Sequence, residues 1–228
     1  MKKHLIVFAT GNRDKIREIT EIITDPSVFV LSMKEAGVPA DPEENGSSFE
    51  ENAMIKVNAV AERIARQRED GSFLRDPSSG AFLPSVPEGI DPSALDVTVM
   101  SDDSGLEIDA LGGEPGIYSA RYLGRDLPYP EKMRQIMDRL AGVPDEQRTA
   151  RFVAAVAALA PDGTRHVVRG TMEGRIGYEI RGRHGFGYDP FFYLPEYGMT
   201  SAEISPEEKN RISHRGKALR AMLEELGI

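Results

Sequence analysis

Two adjacent carboxylates near the middle of the chain are the residues most suggestive of chemistry. The segment SDDSG at 101–105 follows the apolar run VTVM at 97–100, which predicts a buried strand. Adjacent aspartates are poor strand formers and suitable ligands for a hard cation such as Mg²⁺. Because open α/β sheets bind ligands at the carboxyl ends of their strands, the segment predicts a site where one Asp binds metal or activates water. A turn capped by Asp explains these residues equally well.

A second segment has the features of a phosphate-binding turn. The residues TGNRDK at 10–15 follow a strand predicted over 4–9 and precede a helix with four isoleucines on one face. Backbone N–H groups at the start of a helix attract anions, and Lys15 adds a full charge. On these residues alone, a structural turn with Asn12 as the helix cap and a solvated Lys15 is the simpler interpretation.

Glu44 and Lys56 could meet at one end of the next helix. The residues SFEE at 48–51 have capping-box spacing, and the apolar stripe after them predicts a helix that ends near Arg68. Glu44 precedes this helix and Lys56 lies in its first turns, so both could face a cleft. A solvated acidic loop and a surface lysine are the simpler interpretation of this pair alone.

The C-terminal part of the chain holds aromatic and cationic residues suited to a nucleobase. A phenyl ring flanked by glycines, as in GFGYDP at 185–190, can lie flat against a base. Arg215 only donates hydrogen bonds, so it suits a keto oxygen and would meet another donor at the amino group of adenine. That mismatch would exclude adenine by leaving buried polar groups unpaired. The alternative places Phe186 in the core, Tyr188 on a strand, and Lys209, His214 and Arg215 on a solvated helix.

The remaining periodicity predicts a mixed α/β fold. Residues 69–96 are rich in Gly, Pro, Ser and Asp and show no sustained period, which predicts a long exposed loop. The glycine-rich segment 111–122 is interpreted as a structural loop. The other predicted elements are a short strand at 106–108, a helix at 129–140, strands at 151–159 and 165–172 around a turn at 161–163, and a final helix striped by Leu219, Met222, Leu223 and Leu226.

Composition limits the class of protein. With 228 residues, 40% of them hydrophobic, the chain can bury a sizeable core. A net charge of -9 argues against a protein that coats nucleic acid. The absence of cysteine excludes disulfides, thiol catalysis and cysteine-bound zinc. The N-terminal apolar run is too short for a signal peptide, and no stretch approaches the roughly 20 apolar residues of a membrane span, so we expect a soluble, cytoplasmic protein.

Four segments, in this order, resemble the inosine/xanthosine triphosphate pyrophosphatase family, which hydrolyses deaminated purine nucleotides. They are FATGNRDKIREI, SFEENAMIKVNAVA, SDDSGLEIDALGGEPGIYSARYLG and HGFGYDPFFYLPEYGMTSAEISPEEKNRISHRGKAL, and they span nearly the whole chain. The resemblance implies that Asp103 is the catalytic proton acceptor and that Asp103 and Glu44 bind metal. It also implies substrate binding by Thr10, Gly11, Asn12, Arg13, Asp14, Lys15, Lys56, Ser104, Phe186, Gly187, Tyr188, Asp189, Lys209, His214 and Arg215.

The same resemblance implies one domain over residues 1–228, an α/β fold with a mixed, elongated central sheet flanked by helices, and two lobes with an active-site cleft between them. The implied reaction is hydrolysis of ITP, dITP and XTP to the monophosphate and pyrophosphate, with one or more Mg²⁺ ions per subunit. A homodimer is expected, with no nucleic-acid or membrane partner. The connection at 69–96 is short in the family, so we expect a loop insertion there.

Two other functions are compatible with parts of this pattern. One is a pyrophosphatase for other modified or pyrimidine nucleoside triphosphates, which an apolar contact to the six-position of the base would favour. The other is a catalytically silent nucleotide-binding module. The Asp pair with its following hydroxyl argues against the silent module, because a pure binding protein has no need for a carboxylate that activates water.

Overall fold

A computed structural model describes residues 4–86 and 91–228 of the chain. Within these residues, one sheet joins seven strands in the order β2-β1-β3-β4-β5-β6-β7. The strands are β1 (His4–Phe8), β2 (Val28–Ser32), β3 (Asp96–Ile108), β4 (Thr149–Leu159), β5 (Arg165–Ile176), β6 (Phe192–Leu194) and β7 (Met199–Thr200). The α-helices are α1 (Arg13–Ile22), α2 (Phe49–Glu69), α3 (Tyr129–Arg139), α4 (Pro206–Ile212) and α5 (His214–Leu226). The predicted mixed α/β fold is confirmed.

Strand β1 lies between two parallel neighbours. Its first residue, His4, is opposite Val28 of β2 on one side and Asp96 of β3 on the other. Leu5 to Phe8 are completely buried, as expected for a strand of a parallel sheet whose two faces are covered. The strand pairs β5–β6 and β6–β7 are antiparallel, so the sheet is mixed.

The chain divides into two compact units, and unit 1 comprises Met1–Asp103, Ala155–Val168 and Leu219–Ile228. Its core collects apolar residues of β1, β2, α2 and β3. Helix α2 buries the stripe that its sequence predicts, because residues three and four positions apart share one helix face. The buried residues of this stripe are Phe49, Ala53, Val57, Val60 and Ile64.

Unit 2 comprises Ser104–Ala154 and Arg169–Ala218. Its core is a separate cluster to which α3 contributes Met133 and Ile136, both nearly or completely buried. Strands β3 to β6 contribute Leu106, Ile108, Phe152, Met172, Ile176 and Phe192 to the same cluster. The two lobes with a cleft between them remain a prediction.

Most of the predicted elements are present, but the middle of the chain differs. The two strands predicted at 97–100 and 106–108 form the single 13-residue strand β3, which continues through the Asp pair. A turn capped by Asp at this place is therefore wrong. The sheet explains the difference, because β4 lies beside β3 where β1 has ended and supplies backbone partners to residues of low strand propensity. Helix α4, capped by Ser205, precedes the final helix, and only the alternative interpretation of Lys209 places a helix there.

The long connection after α2 is only partly an exposed loop. Phe73 and Leu74 retain 5% and 1% of their surface exposed and belong to the core of unit 1. A bridge between Arg75 and Phe82 closes a short turn beyond them. The expectation of an exposed loop is wrong for Phe73 and Leu74, because two adjacent apolar residues find room in that core. Residues 87–90 of the predicted insertion lie outside the described residues.

Candidate active site

The Asp pair lies just beyond the end of a parallel neighbouring strand. Strand β1 ends at Phe8, opposite Met100 of β3, so Asp102 and Asp103 extend past the carboxyl end of β1. The hydroxyl of Ser101 donates to the carbonyl oxygen of Ala9 over 3.2 Å, which holds this part of β3 against the chain leaving β1. The carboxylates thus occupy the edge at which open α/β sheets bind ligands.

Asp103 is a buried carboxylate held at both of its oxygens. Its surface is 8% exposed. The Lys56 ammonium donates to Oδ1 over 3.3 Å, and the Asn52 amide donates to Oδ2 over 3.2 Å. Burial raises the pKa of the Asp103 carboxyl, and the positive charges of Lys56 and Lys15 offset part of the rise. A carboxylate of raised pKa is suited to accept a proton near neutral pH.

Glu44 and Lys56, which the sequence allowed to face one cleft, contact each other. The Nζ atom of Lys56 lies 3.6 Å from Oε2 of Glu44 and 3.3 Å from Oδ1 of Asp103. The helix that carries Lys56 begins where Ser48 accepts a hydrogen bond from the backbone N–H of Glu51, as the capping spacing predicts. The interpretation of Lys56 as a solvated surface lysine is therefore wrong, because its side chain is only 14% exposed and contacts two carboxylates.

Asp102 pairs with a second lysine. Its Oδ1 lies 3.0 Å from Nζ of Lys15, whose side chain is 14% exposed. Asn12 caps α1 by accepting hydrogen bonds from the backbone N–H groups of Asp14 and Lys15, at 2.9 and 3.3 Å. The predicted cap is confirmed. The interpretation of Lys15 as a solvated side chain is wrong, because the cap orients the first turn of α1 so that Lys15 reaches Asp102 of β3.

The other residues of the predicted phosphate-binding turn are accessible. The Thr10 hydroxyl accepts a hydrogen bond from the backbone N–H of Asn12 over 3.2 Å. Gly11 and Arg13 are exposed, and Asp14 forms an exposed ion pair of 3.1 Å with Arg17. Substrate binding by this turn remains a prediction.

In unit 2, an ion pair fixes the segment that carries the phenyl ring. Lys209 and Asp189 form a buried ion pair of 2.6 Å. The same Oδ2 of Asp189 accepts a hydrogen bond from the backbone N–H of Phe186 over 2.8 Å, and its Oδ1 accepts one from the Ser201 hydroxyl over 2.7 Å. At Gly185, with φ of +73°, a Cβ would lie 2.1 Å from that carboxylate, so only glycine fits.

Two cations lie close to the ring of Phe186. The Nζ of Lys209 is 5.3 Å and the Cζ of Arg215 is 5.5 Å from the ring centroid, within the range of cation–π attraction. Phe186 is half-buried and does not belong to the core cluster of unit 2, so its placement in the core is wrong. Arg215 also donates to the Ser104 hydroxyl over 3.0 Å.

The alternative that places the three C-terminal cations on a solvated helix is also wrong. Lys209, His214 and Arg215 are 5%, 6% and 2% exposed, and they lie on the two helices α4 and α5, which are separated by Ser213. The His214 ring stacks on Phe152 with 5.0 Å between the ring centroids.

Tyr188 and Gly187 complete the predicted base-binding segment. The Tyr188 hydroxyl donates to the carbonyl oxygen of Ser119 over 3.0 Å, and its ring meets Tyr129 edge to face with 5.0 Å between centroids. Tyr188 is buried, whereas Gly187 is half-buried and has φ of +66°. Tyr188 therefore holds this segment to the fold, and Phe186 is its accessible ring.

Sequence reasoning did not single out Asn52, which contacts Asp103 directly. Its signal was available, because Asn52 and Lys56 are four residues apart on a helix and therefore share a face. A polar residue next to the buried stripe of that helix is the kind of exception that needs a partner.

Glu44 and Asp103 are the residues that would hold the predicted Mg²⁺. Both carboxylates lie within 3.6 Å of one ammonium group, that of Lys56, so a cation is already favoured there. Among the described residues there is no group of three or more His, Cys, Asp or Glu side chains placed to bind a metal. Two carboxylates nevertheless fit Mg²⁺, which proteins commonly bind by one or two carboxylates together with substrate phosphates.

Comparison with known proteins assigns the family. The model of the Ham1 family matches residues 6–225, so the chain belongs to the Ham1 family. It is 38% identical to the dITP/XTP pyrophosphatase of Clostridium perfringens, over 99% of this chain and 98% of that protein. It is 42% identical to the dITP/XTP pyrophosphatase of Thioalkalivibrio sulfidiphilus, over 97% of each. These relatives confirm the resemblance noted from the sequence.

The fold matches solved structures of the same family. A HAM1 protein from Coxiella burnetii superposes with a TM-score of 0.77 at 33% identity, over 98% of both chains. The Ham1 protein of Staphylococcus aureus gives a TM-score of 0.75 at 34% identity, also over 98% of both chains. Among the described residues, no helix has the length and apolar character needed to cross a membrane.

Proposed function

We propose that this chain hydrolyses ITP, dITP and XTP to the nucleoside monophosphate and pyrophosphate, and so removes deaminated purines from the nucleotide pool. The observation that carries the proposal is the buried Asp103 carboxylate in contact with Lys56. The choice of substrate is supported by the relatives, because proteins 38% and 42% identical to this chain are named dITP/XTP pyrophosphatases.

In the proposed reaction, Asp103 accepts the proton of the attacking water. The pKa of Asp103 is raised, so this carboxylate binds a proton more readily near neutral pH than an ordinary carboxylate does. Lys56 and Lys15, which are 14% exposed and next to the two aspartates, would stabilise the charge that builds up on the phosphoryl oxygens. Thr10 to Asp14 would bind the phosphates through the accessible start of α1.

Glu44 and Asp103 would hold Mg²⁺ in this proposal. When bound, the ion would offset charge on the triphosphate and lower the pKa of the attacking water. Lys56, which contacts both carboxylates, would donate to the substrate phosphates beside them.

The base would be recognised in unit 2. Phe186 presents a half-buried ring to a purine, and the Arg215 guanidinium near it can donate to a keto oxygen. The amino group of adenine is a donor and would leave that guanidinium unsatisfied. The cytoplasmic location and the homodimer stay predictions.

The test is pyrophosphate release from ITP, dITP, XTP, ATP and pyrimidine triphosphates, with Mg²⁺ and with a chelator. We expect faster turnover of the deaminated purine triphosphates than of ATP, and activity that depends on the metal. In Asp103→Asn we expect activity to fall by about 10²- to 10⁴-fold, the usual contribution of a general base. Asp138→Asn, at an exposed position of α3, is the matched control with unchanged activity. Equal turnover of ATP and ITP would contradict the base assignment, and an active Asp103→Asn would contradict the assigned base.

A further inference from the structure

A buried amide connects the catalytic carboxylate with the segment that carries Glu44. Asn52 lies in the second turn of α2 and is completely buried, at 0% exposure. We propose that Asn52 is a positioning residue, which fixes the Asp103 carboxylate for proton transfer and ties it to the backbone at Gly46. The proposal rests on the proposed function, in which Asp103 is the proton acceptor.

The hydrogen bonds of Asn52 determine which way its amide faces. Its Oδ1 accepts from the backbone N–H of Gly46 over 2.9 Å. A backbone N–H can only donate, so the oxygen must point to Gly46 and the NH₂ group to Asp103. Nδ2 then donates to Oδ2 of Asp103 over 3.2 Å. Because Asp103 offers acceptor oxygens when ionised, both ends of the Asn52 amide are satisfied in the form of the site that accepts a proton.

Gly46 is required for the close approach of its segment to Asn52. A Cβ on Gly46 would lie 2.8 Å from Oδ1 of Asn52 and 2.8 Å from Cβ of Glu51. The backbone at Gly46, two residues after Glu44, is therefore held directly against the amide. One neutral side chain thus contacts both Asp103 and the segment that carries Glu44.

The contact of Asp103 with Lys56 is not sufficient to position the carboxylate. Lys56 contacts Oδ1, but the same ammonium also contacts Glu44 and is assigned to the substrate phosphates in the proposed reaction. Asn52 has a short, uncharged side chain without accessible surface, and its contact with Oδ2 of Asp103 does not involve that ammonium. A catalytic group must be held within about 0.5 Å of its productive place, and buried hydrogen-bonding neighbours commonly hold it there.

Asn52→Asp tests one of the two hydrogen bonds by itself. It keeps the oxygen that accepts from Gly46 and loses the donor to Asp103. We expect kcat on ITP to fall by about 10- to 100-fold, with KM nearly unchanged, since chemistry rather than binding is affected. Asn52→Ala, which adds no charge, should show the same loss of kcat. The matched control Asn58→Asp introduces the same charge at a half-buried position of α2, six residues on, and should leave both constants unchanged. Wild-type kcat in Asn52→Asp and Asn52→Ala, or a change confined to KM, would overturn the proposal.

A stability measurement tests the contact without activity. In the otherwise unchanged protein, Asn52→Asp brings two carboxylates together and should lower Tm by several degrees. With Asp103→Asn already present, the amide introduced at position 103 can donate to the carboxylate introduced at position 52, so the same substitution should lower Tm much less. Equal Tm losses in both backgrounds would overturn the contact.

Failure of this proposal can be told apart from failure of the proposed function. If Asp103→Asn and the substrate panel behave as expected while Asn52→Asp keeps its kcat, only the positioning role is wrong. If Asp103→Asn remains active, the assigned proton acceptor is wrong whatever the Asn52 variants show.

Discussion

Lys209 and Asp189 form an ion pair of 2.6 Å in which the side chains are only 6% and 4% exposed. The carboxylate of this pair also accepts hydrogen bonds from the Phe186 backbone and the Ser201 hydroxyl. The lysine therefore neutralises a buried charge around which the proposed base-binding segment is built. Breaking such a pair is strongly unfavourable because it leaves one charge buried and uncompensated.

We predict that Lys209→Met destabilises the protein by about 3 to 5 kcal/mol, the usual effect of removing one partner of a buried ion pair. Urea denaturation measures this change. The control is Arg66→Ala, which removes an ion pair to Glu62 whose side chains are 76% and 70% exposed and should change stability by less than about 1 kcal/mol. A loss in Lys209→Met no larger than that of the control would show that Asp189 is satisfied without the lysine.

The raised pKa of Asp103 predicts how its removal affects stability with pH. The folded protein retains the Asp103 proton at pH values where the unfolded chain, with an ordinary value of 3.8, has lost it. The free energy of unfolding therefore decreases as pH rises from about 3.8 to the pKa of the folded state. The neutral variant Asp103→Asn lacks this decrease, so we expect it to be more stable than the wild type at pH 7, with a difference that shrinks toward pH 4.

Denaturation of the metal-free protein in chelator at several pH values checks this expectation. Asp76 is a control of opposite sign, because hydrogen bonds from Ser78 and Ser79 lower its pKa to about 2. Its stabilising contribution is present above about 3.8 and is lost as pH falls through about 2, so Asp76→Asn should be less stable than the wild type at pH 7. An Asp103→Asn protein that is less stable than the wild type at pH 7 would contradict the prediction.

Arg215→Gln should weaken discrimination between ITP and ATP. Glutamine can turn its amide to present either a donor or an acceptor, whereas the guanidinium only donates. We expect the ratio of kcat/KM for ITP to that for ATP to fall by about 10- to 100-fold, the effect of one hydrogen bond from a charged donor. Arg220→Gln, at an exposed position of the same helix, should leave the ratio unchanged. A ratio unaffected by Arg215→Gln would assign base selection to other residues.

Leu74→Ala tests whether the long connection after α2 belongs to the core. Leu74 is 1% exposed, so we expect a loss of about 2 to 5 kcal/mol, as for other buried leucines truncated to alanine. Phe82, in the same connection, is 45% exposed, and Phe82→Ala should lower stability far less. Thermal or urea denaturation of both variants measures the difference, and similar small losses would mean that the connection contributes little to unit 1.

Local features of this fold were predictable from the sequence because their causes are local. A run of apolar residues predicted β1, the Asn12 side chain predicted the start of α1, and the spacing from Ser48 to Glu51 predicted the start of α2. The family and the identity of the candidate residues also followed from the sequence, since four motifs in fixed order are specific even where each single motif is ambiguous.

Tertiary structure alone decided which of these residues meet. Lys15 and Asp102 are 87 positions apart, and Lys56 and Asp103 are 47 apart, so no periodicity relates them. Their meeting depends on the register that aligns Phe8 with Met100, together with the helix caps that direct both lysines toward β3. The continuation of β3 through two aspartates is also a tertiary effect, because the neighbouring strand β4 supplies backbone partners that outweigh a weak local preference.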